Sequence, residues 1–547
     1  MTTGDEHTDK KSGIPALTET ITGLFRKRTK TGNPPGTPVP RTRDASWKFS
    51  SSDGPENSIP EIKLARYWLD YGYSYATITK NESLNLVYRV FEPRVDFRER
   101  ILLEEVHNHM RDILVYDTVR QKSEISLEYD QVRNAARQFI RDFPDERIPV
   151  IYYYLKRNLS GYGPVDPLMH DPRIEDISCN GAETPVFIYH TKFGSLATSV
   201  TFTHPDLNRY ILKLSQKADK QISIATPLLD APLPDGSRVQ MTYTDVVSSK
   251  GSSFTIRRFK KDPMTPMDLI RYGTYSPELL AFIWLSVEHR KSMLVVGGTA
   301  SGKTSTMNAI SYFIPLNSKI VSLEDTREIQ LPHKNWLPTK TRETQSQNVK
   351  GDINLFSLLK ASLRQRPEYI IVGEVRGEEA QTLFQAMNTG HTTYSTLHAG
   401  STEESINRLI NPPINVPRSM FGALDLMVVQ LLQYQKGQAV RRCKVLTEVT
   451  VDKSDVIHTT PLYSWDPRTD RFEREFSRSR VLDQIAYSHG WSTEEAEEQL
   501  AIRIHTLELM EKRGIARGDE ISSIFHLMRL EEMAGSESPG ETADAES

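Results

Sequence analysis

The stretch SMLVVGGTASGKTSTMNAISYFI (292–314) decides the fold of this chain. Its centre, GGTASGKT (297–304), matches the phosphate-binding pattern G-x-x-x-x-G-K-[ST] in full. The flanking residues support the match, because SMLVV has the composition of a buried strand and TSTMNAISYFI continues as a helix. A strand, a glycine-rich loop and a helix in this order predict a P-loop that binds ATP together with Mg²⁺.

Each residue type in this loop has a physical purpose. Glycines let backbone N–H groups converge on phosphate oxygens at the positive end of the helix dipole. Lys303 is expected to reach the β- and γ-phosphates, and the Thr304 hydroxyl is expected to ligate Mg²⁺. The predicted nucleotide-binding residues are Gly297, Gly298, Thr299, Ala300, Ser301, Gly302, Lys303, Thr304 and Ser305.

Apolar strands alternate with helical segments from about 269 to 475. The strand segments are SMLVVGG, KIVSLED, YIIVGE and HTTYSTLHA. Continuous apolar runs of this length between helices are typical of a parallel sheet that is buried on both faces. The sequence therefore predicts an α/β fold in this region.

Two of these strands end in carboxylates. Glu324 and Asp325 end KIVSLED, and Glu374 ends YIIVGE. Ligands of a parallel sheet bind at the carboxyl ends of its strands, so we predict Glu324 as the general base. Glu374 is predicted to position metal or water, with Thr304 and Asp325 as further Mg²⁺ ligands. Asp325 could equally cap a turn, as acids after strands often do.

The segment NTGHTTYSTLHAGS (388–401) contains two histidines. His391 opens the predicted strand and His398 ends it. Their spacing does not suit zinc and no cysteine is near, so we expect no metal site there. We predict that His391 senses the γ-phosphate; the alternative is an ordinary polar side chain.

The four segments together, in this order, resemble the secretion ATPase superfamily of type II and type IV secretion, type IV pili and archaella. GGTASGKT looks like its Walker A motif, SLEDTRE like its Asp box, YIIVGEVRG like its atypical Walker B motif and TGHTTYSTLHA like its His box. The match covers roughly 160 to 475, and the archaeal branch with the archaellum motor is the most similar. Gly373, where many P-loop proteins carry Asp, agrees with this family.

The resemblance implies a RecA-like P-loop ATPase core, preceded by an α+β N-terminal region and assembled as a homohexamer. ATP would bind between the two domains of each subunit. Arginines from the N-terminal side would contact the phosphates, and the matching positions are Arg238 and Arg257, with Arg258 as an alternative. The implied partner is a membrane platform protein, which would hold the ATPase at the cytoplasmic face of the cell membrane. Only two cysteines are present, so no structural zinc is expected.

Changes in composition predict the domain boundaries. IPALTETITGLFRKR (14–28) is predicted either as a docking helix or as part of a solvated tail. The predicted units are a disordered tail (1–58), an N-terminal α+β module (59–160), a second α+β domain (161–260), the ATPase domain (269–475), a helical segment (478–530) and an acidic disordered tail (531–547).

Bulk composition limits the function classes that compete with a motor ATPase. No apolar run approaches the roughly 20 residues of a membrane helix. The net charge of −3 and the lack of a basic, aromatic strip argue against the main rival, a hexameric nucleic-acid translocase, so no nucleic-acid partner is expected. A small-molecule kinase and a non-hydrolysing, nucleotide-gated scaffold are the second and third rivals, since both would also carry a P-loop.

Overall fold

A computed structural model describes residues 48–51, 62–81, 85–121, 127–259, 263–342, 353–435 and 438–536. The described chain divides into two compact units, one N-terminal to the boundary at Lys260/Lys261 and one C-terminal to it. The segment 14–28, predicted as a docking helix, lies outside the described residues.

The N-terminal unit is built on one sheet. Its described strands are β1 (Phe49–Ser50), β2 (Ile62–Asp70), β3 (Ser74–Lys80), β4 (Leu86–Pro93), β5 (Ile174–Cys179), β6 (Pro185–His190), β7 (Gly194–Thr201), β8 (Leu228–Pro232), β9 (Arg238–Thr242) and β10 (Ser253–Arg257). Their order is β2-β3-β4-β7-β6-β5-β10-β9-β8, with β1 paired to β4. Every pair is antiparallel except β4 with β7.

This sheet differs from the predicted division at residue 160. Strand β4 lies before that point and β7 after it, and the two pair directly. Ala76 and Tyr88 from the first segment share one apolar core with Ile177 and Ile256 from the second. The segments predicted as separate domains therefore form one unit, because each completes the other's sheet and core.

Five described helices complete the N-terminal unit: α1 (Phe97–Gln121), α2 (Tyr129–Phe139), α3 (Ile148–Leu159), α4 (Asp166–Met169) and α5 (His204–Lys217). Helices α1, α2 and α3 form a small core of their own around Val106, Ala136 and Ile151. Phe49 of β1 packs edge-on against Tyr75, with ring centroids 5.2 Å apart. The tail predicted at 1–58 thus contributes an ordered strand at its end.

The C-terminal unit has the predicted α/β architecture. Its described strands are β11 (Met293–Gly297), β12 (Ile320–Glu324), β13 (Trp336–Lys340), β14 (Tyr369–Val372), β15 (Thr392–Leu397), β16 (Leu426–Gln435), β17 (Gln438–Val451), β18 (Ile457–Asp466) and β19 (Arg471–Arg474). The order is β13-β12-β14-β15-β11-β16-β17-β18-β19. The first six strands are parallel, and β17, β18 and β19 continue the sheet antiparallel.

Helices cover both faces of this sheet, as the apolar strands predict. The described helices are α6 (Pro266–Arg271), α7 (Pro277–Glu288), α8 (Lys303–Ile310), α9 (Leu355–Leu363), α10 (Glu379–Asn388), α11 (Thr402–Ile410), α12 (Arg480–His489), α13 (Thr493–Lys512) and α14 (Gly518–Ser536). Alternate residues of β11 enter different cores, with Met293 in one and Leu294 in the other. Both faces are therefore buried, and the predicted fold class is confirmed.

The three C-terminal helices are part of the core of the C-terminal unit. Trp284 of α7 packs against Phe525 of α14, with ring centroids 4.3 Å apart. Arg503 of α13 is 1% exposed and donates to Glu288 at 2.7 Å and to Glu532 at 2.8 Å. Helix α14 also extends to Ser536, six residues into the segment predicted as a disordered tail. Among the described residues, no helix is both long and apolar enough to cross a bilayer.

Candidate functional site

Strand order brings the predicted site segments to one edge of the C-terminal sheet. Strands β12, β14, β15 and β11 are consecutive neighbours and run parallel. Their carboxyl ends therefore lie side by side. The residues at these ends are Glu324, Gly373, His398 and the loop that begins at Gly297.

The loop at 297–302 has the backbone that a phosphate cradle needs. A Cβ added to Gly297 would lie 2.4 Å from Ser301 Oγ and 2.7 Å from the Gln430 carbonyl oxygen. Gly302 caps α8 at a φ of +95°, which only glycine adopts readily. The glycines are thus required by close approach and by backbone angle, and the loop fits a phosphate-binding role.

Hydrogen bonds hold this loop together. Lys303 Nζ donates to the carbonyl oxygens of Gly297 at 2.9 Å and Gly298 at 2.8 Å. Ser301 Oγ donates to the same Gly298 carbonyl at 2.9 Å. The Lys303 ammonium therefore lies over the loop, where it would meet an incoming phosphate.

Residues predicted to hold Mg²⁺ lie at the same edge, but they are engaged in other contacts. Glu374 accepts from Arg376 Nη2 at 2.5 Å, and the exposed Asp325 accepts from Thr341 Oγ1 at 3.3 Å. Thr304 is half-buried in the first turn of α8. No group of three or more His, Cys, Asp or Glu residues forms a metal cluster in the described part of the chain. Thr304 and the two carboxylates fit a cation that arrives with a nucleotide and completes its shell with phosphate and water.

Glu324 has the most unusual environment at this edge. It is 2% exposed, and its Oε1 accepts from the backbone N–H groups of Glu328 and Ile329, both at 2.8 Å. Its Oε2 is buried and has no hydrogen-bond partner among the described residues. Burial raises the pKa of this carboxyl to about 7, against the lowering effect of the two N–H donors. A buried carboxylate oxygen without a partner, on a group that titrates near neutrality, suits a proton acceptor.

The absence of a side chain at Gly373 leaves room for the side chain of Glu324. A Cβ at position 373 would lie 3.3 Å from Glu324 Cγ and 3.6 Å from the Leu323 carbonyl oxygen. The β14 strand end therefore leaves space that the Glu324 side chain occupies. An Asp at this position, as in many P-loop proteins, would crowd the general base predicted here.

The two histidines lie at opposite edges of the sheet. In the parallel pairing of β15 with β11, Val296 is opposite Leu397, so the end of β15 lies beside the P-loop. His391 precedes the first residue of this six-residue strand. It therefore lies about 20 Å from the strand end beside the P-loop, at ~3.3 Å per residue. His398 follows its last residue, and its Nε2 lies 2.8 Å from Thr299 Oγ1. The predicted γ-phosphate role of His391 therefore does not fit its own P-loop, and His398 takes the position next to it.

The predicted arginines belong to the N-terminal unit. Arg238 and Arg257 are opposite each other on β9 and β10, and both are exposed. Arg238 forms two hydrogen bonds with Asp230, each 2.7 Å long. The alternative, Arg258, is bound instead to the Asp171 carbonyl oxygen within its own unit, and burial lowers the pKa of its guanidinium. The structure brings the first two together and gives the third a structural role.

Sequence reasoning missed two residues that contact the P-loop from β16 and β17. Arg441 Nε donates to the Ala300 carbonyl oxygen at 2.9 Å. Gln430 lies opposite Gly297, and its Nε2 donates to Thr306 Oγ1 of α8 at 2.8 Å. Neither residue belongs to a local motif, so only the pairing of β16 with β11 and β17 reveals them. For His398 a signal was present, because it ends a strand as Glu324 does.

Comparisons with known proteins found a matching family and several similar proteins. A family model described as "Type II/IV secretion system protein" matches residues 159–463. The uncharacterized protein MJ0900 of Methanocaldococcus jannaschii is 39% identical over 393 residues, which are 71% of this chain and 71% of that protein. MJ1287 of the same organism is 46% identical over 245 residues, 44% of this chain and 90% of that protein. The crystal structure of the VirB11 ATPase from the Brucella suis type IV secretion system covers 52% of this chain and 92% of its own, at 23% identity and a TM-score of 0.27.

Proposed function

This chain belongs to the type II/IV secretion system protein family, and from that membership we propose that it is a Mg·ATP-hydrolysing motor of a secretion, pilus or archaellum machine. The observation that carries the proposal is Glu324 at the end of β12, on the same edge of the sheet as the P-loop. Its buried Oε2, which has no hydrogen-bond partner among the described residues, and its pKa of about 7 provide a proton acceptor at the sheet edge that carries the phosphate cradle.

Each residue of the site has a distinct role in the proposed hydrolysis of ATP. The loop N–H groups and Lys303 bind and orient the phosphates. Glu324 accepts a proton from a water molecule as the water attacks the γ-phosphorus, and the bond from that phosphorus to the bridging oxygen of ADP breaks. Thr304, with Asp325 and Glu374 acting through water, would hold Mg²⁺, which would supply positive charge to the phosphates. His398 is placed through Thr299 to respond to the state of the loop.

Assembly would complete the site. We extend the proposal to a homohexamer in which the exposed Arg238 and Arg257 face a bound nucleotide and balance the charge that develops on the transferred phosphoryl group. A membrane platform protein would be the partner, placing the motor at the cytoplasmic face of the membrane. ATP-driven movement of the two units would then do the mechanical work.

The first test compares phosphate release from Mg·ATP by the wild type, Lys303→Ala and Lys453→Ala. Lys303→Ala removes the ammonium over the loop, so turnover should fall by about 100-fold or more. Lys453 is an exposed lysine of the same unit, and its variant should retain full turnover. Molecular mass measured with and without nucleotide should show a nucleotide-promoted hexamer.

Three contrary results would each change the proposal in a different way. Equal activity in Lys303→Ala would contradict the assignment of the site. Tight ATP binding without hydrolysis would favour the gated scaffold or a motor that requires its membrane partner. Stimulation by single-stranded DNA, lost at high salt, would favour the translocase.

A further inference from the structure

Arg441 contacts the P-loop in two ways. Its Nε donates to the carbonyl oxygen of Ala300, 2.9 Å away. Its aliphatic stem covers Gly302, where an added Cβ would lie 3.3 Å from Arg441 Cδ. One side chain thus contacts both the middle and the end of the loop, from a strand that lies 141 residues further along the chain.

The position of Arg441 is fixed by its own strand. The neighbouring Arg442 binds Asp470 at 2.8 and 3.0 Å and the Tyr272 carbonyl oxygen at 3.0 Å. Successive side chains of a strand point to opposite faces, so anchoring Arg442 on one face directs Arg441 to the other. The register of β16 with β17 shifts between Val429 and Gln430, and such irregularities often re-aim side chains next to active sites.

The bond to Ala300 controls the direction of the next N–H group. In a trans peptide, the carbonyl of one residue and the N–H of the next point in opposite directions. Arg441 holds the Ala300 carbonyl towards β17, so the Ser301 N–H points away from β17 into the interior of the loop, where it donates to the Gly298 carbonyl oxygen at 3.5 Å. That interior is where a P-loop receives phosphate oxygens.

The backbone conformation of Ala300 is unfavourable by itself, and the hydrogen bond from Arg441 stabilises it. Its φ is +59°, a left-handed angle that costs a non-glycine residue roughly 1–2 kcal/mol. An acceptor bond from outside the loop favours this conformation over the right-handed and extended ones.

We propose that Arg441 is a positioning residue for nucleotide binding, acting through the Ala300–Ser301 peptide rather than through its charge. The proposal rests on the nucleotide site described above. The cradle of a P-loop binds the α- and β-phosphates, which ADP and ATP share. Losing the hydrogen bond should therefore lower the affinities for both nucleotides by the same factor.

Two variants of the full-length protein separate the effect of the Arg441 hydrogen bond from the effects of its side-chain shape and charge. In Arg441→Gln, the side-chain amide nitrogen occupies the position of Arg Nε, so the donor remains and the charge is lost. In Arg441→Met, the side chain has similar length and no donor. Mg·ADP and Mg·ATP affinities would be measured by calorimetry, with melting temperatures recorded for each protein.

We expect Arg441→Met to bind both nucleotides about tenfold more weakly, as loss of one hydrogen bond implies, and Arg441→Gln to recover most of that loss. Melting temperatures should match the wild type, since the side chain is half-exposed. Arg471→Ala, an exposed arginine on β19, controls for lost charge and should change nothing.

Each contrary result has a distinct meaning. Equal weakening in the Gln and Met variants, or weakening of ATP alone, would show that the charge acts on the nucleotide directly and would overturn the proposal. Unchanged affinity in Arg441→Met would also overturn it. A wild type that binds neither nucleotide would refute the proposed function, independently of Arg441.

Discussion

At the scale of the residue, the surroundings of Glu324 set its chemistry. Two backbone N–H groups hold Oε1 and stabilise the charged form, while burial favours the neutral form and has the larger effect. The resulting pKa of about 7 lies well above the usual value for Glu. The same group would titrate near 4.5 in the unfolded chain, where it is solvated.

This pKa predicts how turnover depends on pH. The base acts only when ionised, so kcat should rise about tenfold per pH unit below 7 and level off above it. Glu324→Gln cannot accept the proton, and it should lower the plateau by about 100- to 10,000-fold and remove the inflection. The measurement is phosphate release at saturating Mg·ATP from pH 5.5 to 9.

Glu328→Gln serves as the matched control. It removes a carboxylate whose charge raises the pKa of Glu324, but it retains the backbone N–H that binds Oε1. Turnover should persist with its inflection moved to lower pH. A full plateau in Glu324→Gln would exclude this residue as the base.

At the scale of the element, the ends of β12 and β14 are so close that a side chain fits at only one of them. Glu324 occupies the space beside Gly373, where an added Cβ would approach Cγ to 3.3 Å. The carboxylate cannot simply move away, since Oε1 is held by two N–H groups. The Gly373 carbonyl also accepts from Thr396 Oγ1 of β15 at 2.7 Å, which limits backbone adjustment.

Gly373→Ala should therefore displace the base by a few tenths of an ångström. We expect kcat to fall about tenfold, because the base is displaced from its position. The affinity for nucleotide should stay the same, because the P-loop is unchanged. Steady-state kinetics and ADP titration would separate the two effects. Gly422→Ala is the control, because an added Cβ there contacts nothing within 4 Å. Unchanged kcat in Gly373→Ala would mean that the strand ends can adjust.

At the scale of the whole molecule, the C-terminal helices belong to the same unit as the P-loop. They cover the face of the sheet that carries α7, with Phe525 on Trp284 and with Arg503 between Glu288 and Glu532. The segment predicted as a separate helical region after 478 thus closes the core.

Ending the chain after Phe476 should therefore expose a large apolar face. The cluster includes Trp284, Phe313 and Leu285, which are buried in the intact unit. We expect this variant to aggregate, whereas a chain ending after Ser536, which loses only residues outside the described part, should remain monodisperse. Light scattering after purification would show the difference. A monodisperse, nucleotide-binding product of the shorter chain would contradict this view of the core.

Local sequence determined much of this protein. The P-loop, the parallel apolar strands and the carboxylates at their ends were predictable, because each depends on spacing within one segment. The family followed from the same segments and is confirmed. The identity of Glu324 as the candidate base came from its place at a strand end, and the structure adds the burial that raises its pKa.

Tertiary structure alone decided the rest, because those features depend on pairings between distant segments. His398 rather than His391 lies beside the P-loop since β15 runs parallel to β11. Arg441 reaches Ala300 from 141 residues away, and β4 joins β7 across the predicted domain boundary. No local periodicity records such contacts, since strand order and direction are settled by which surfaces bury one another.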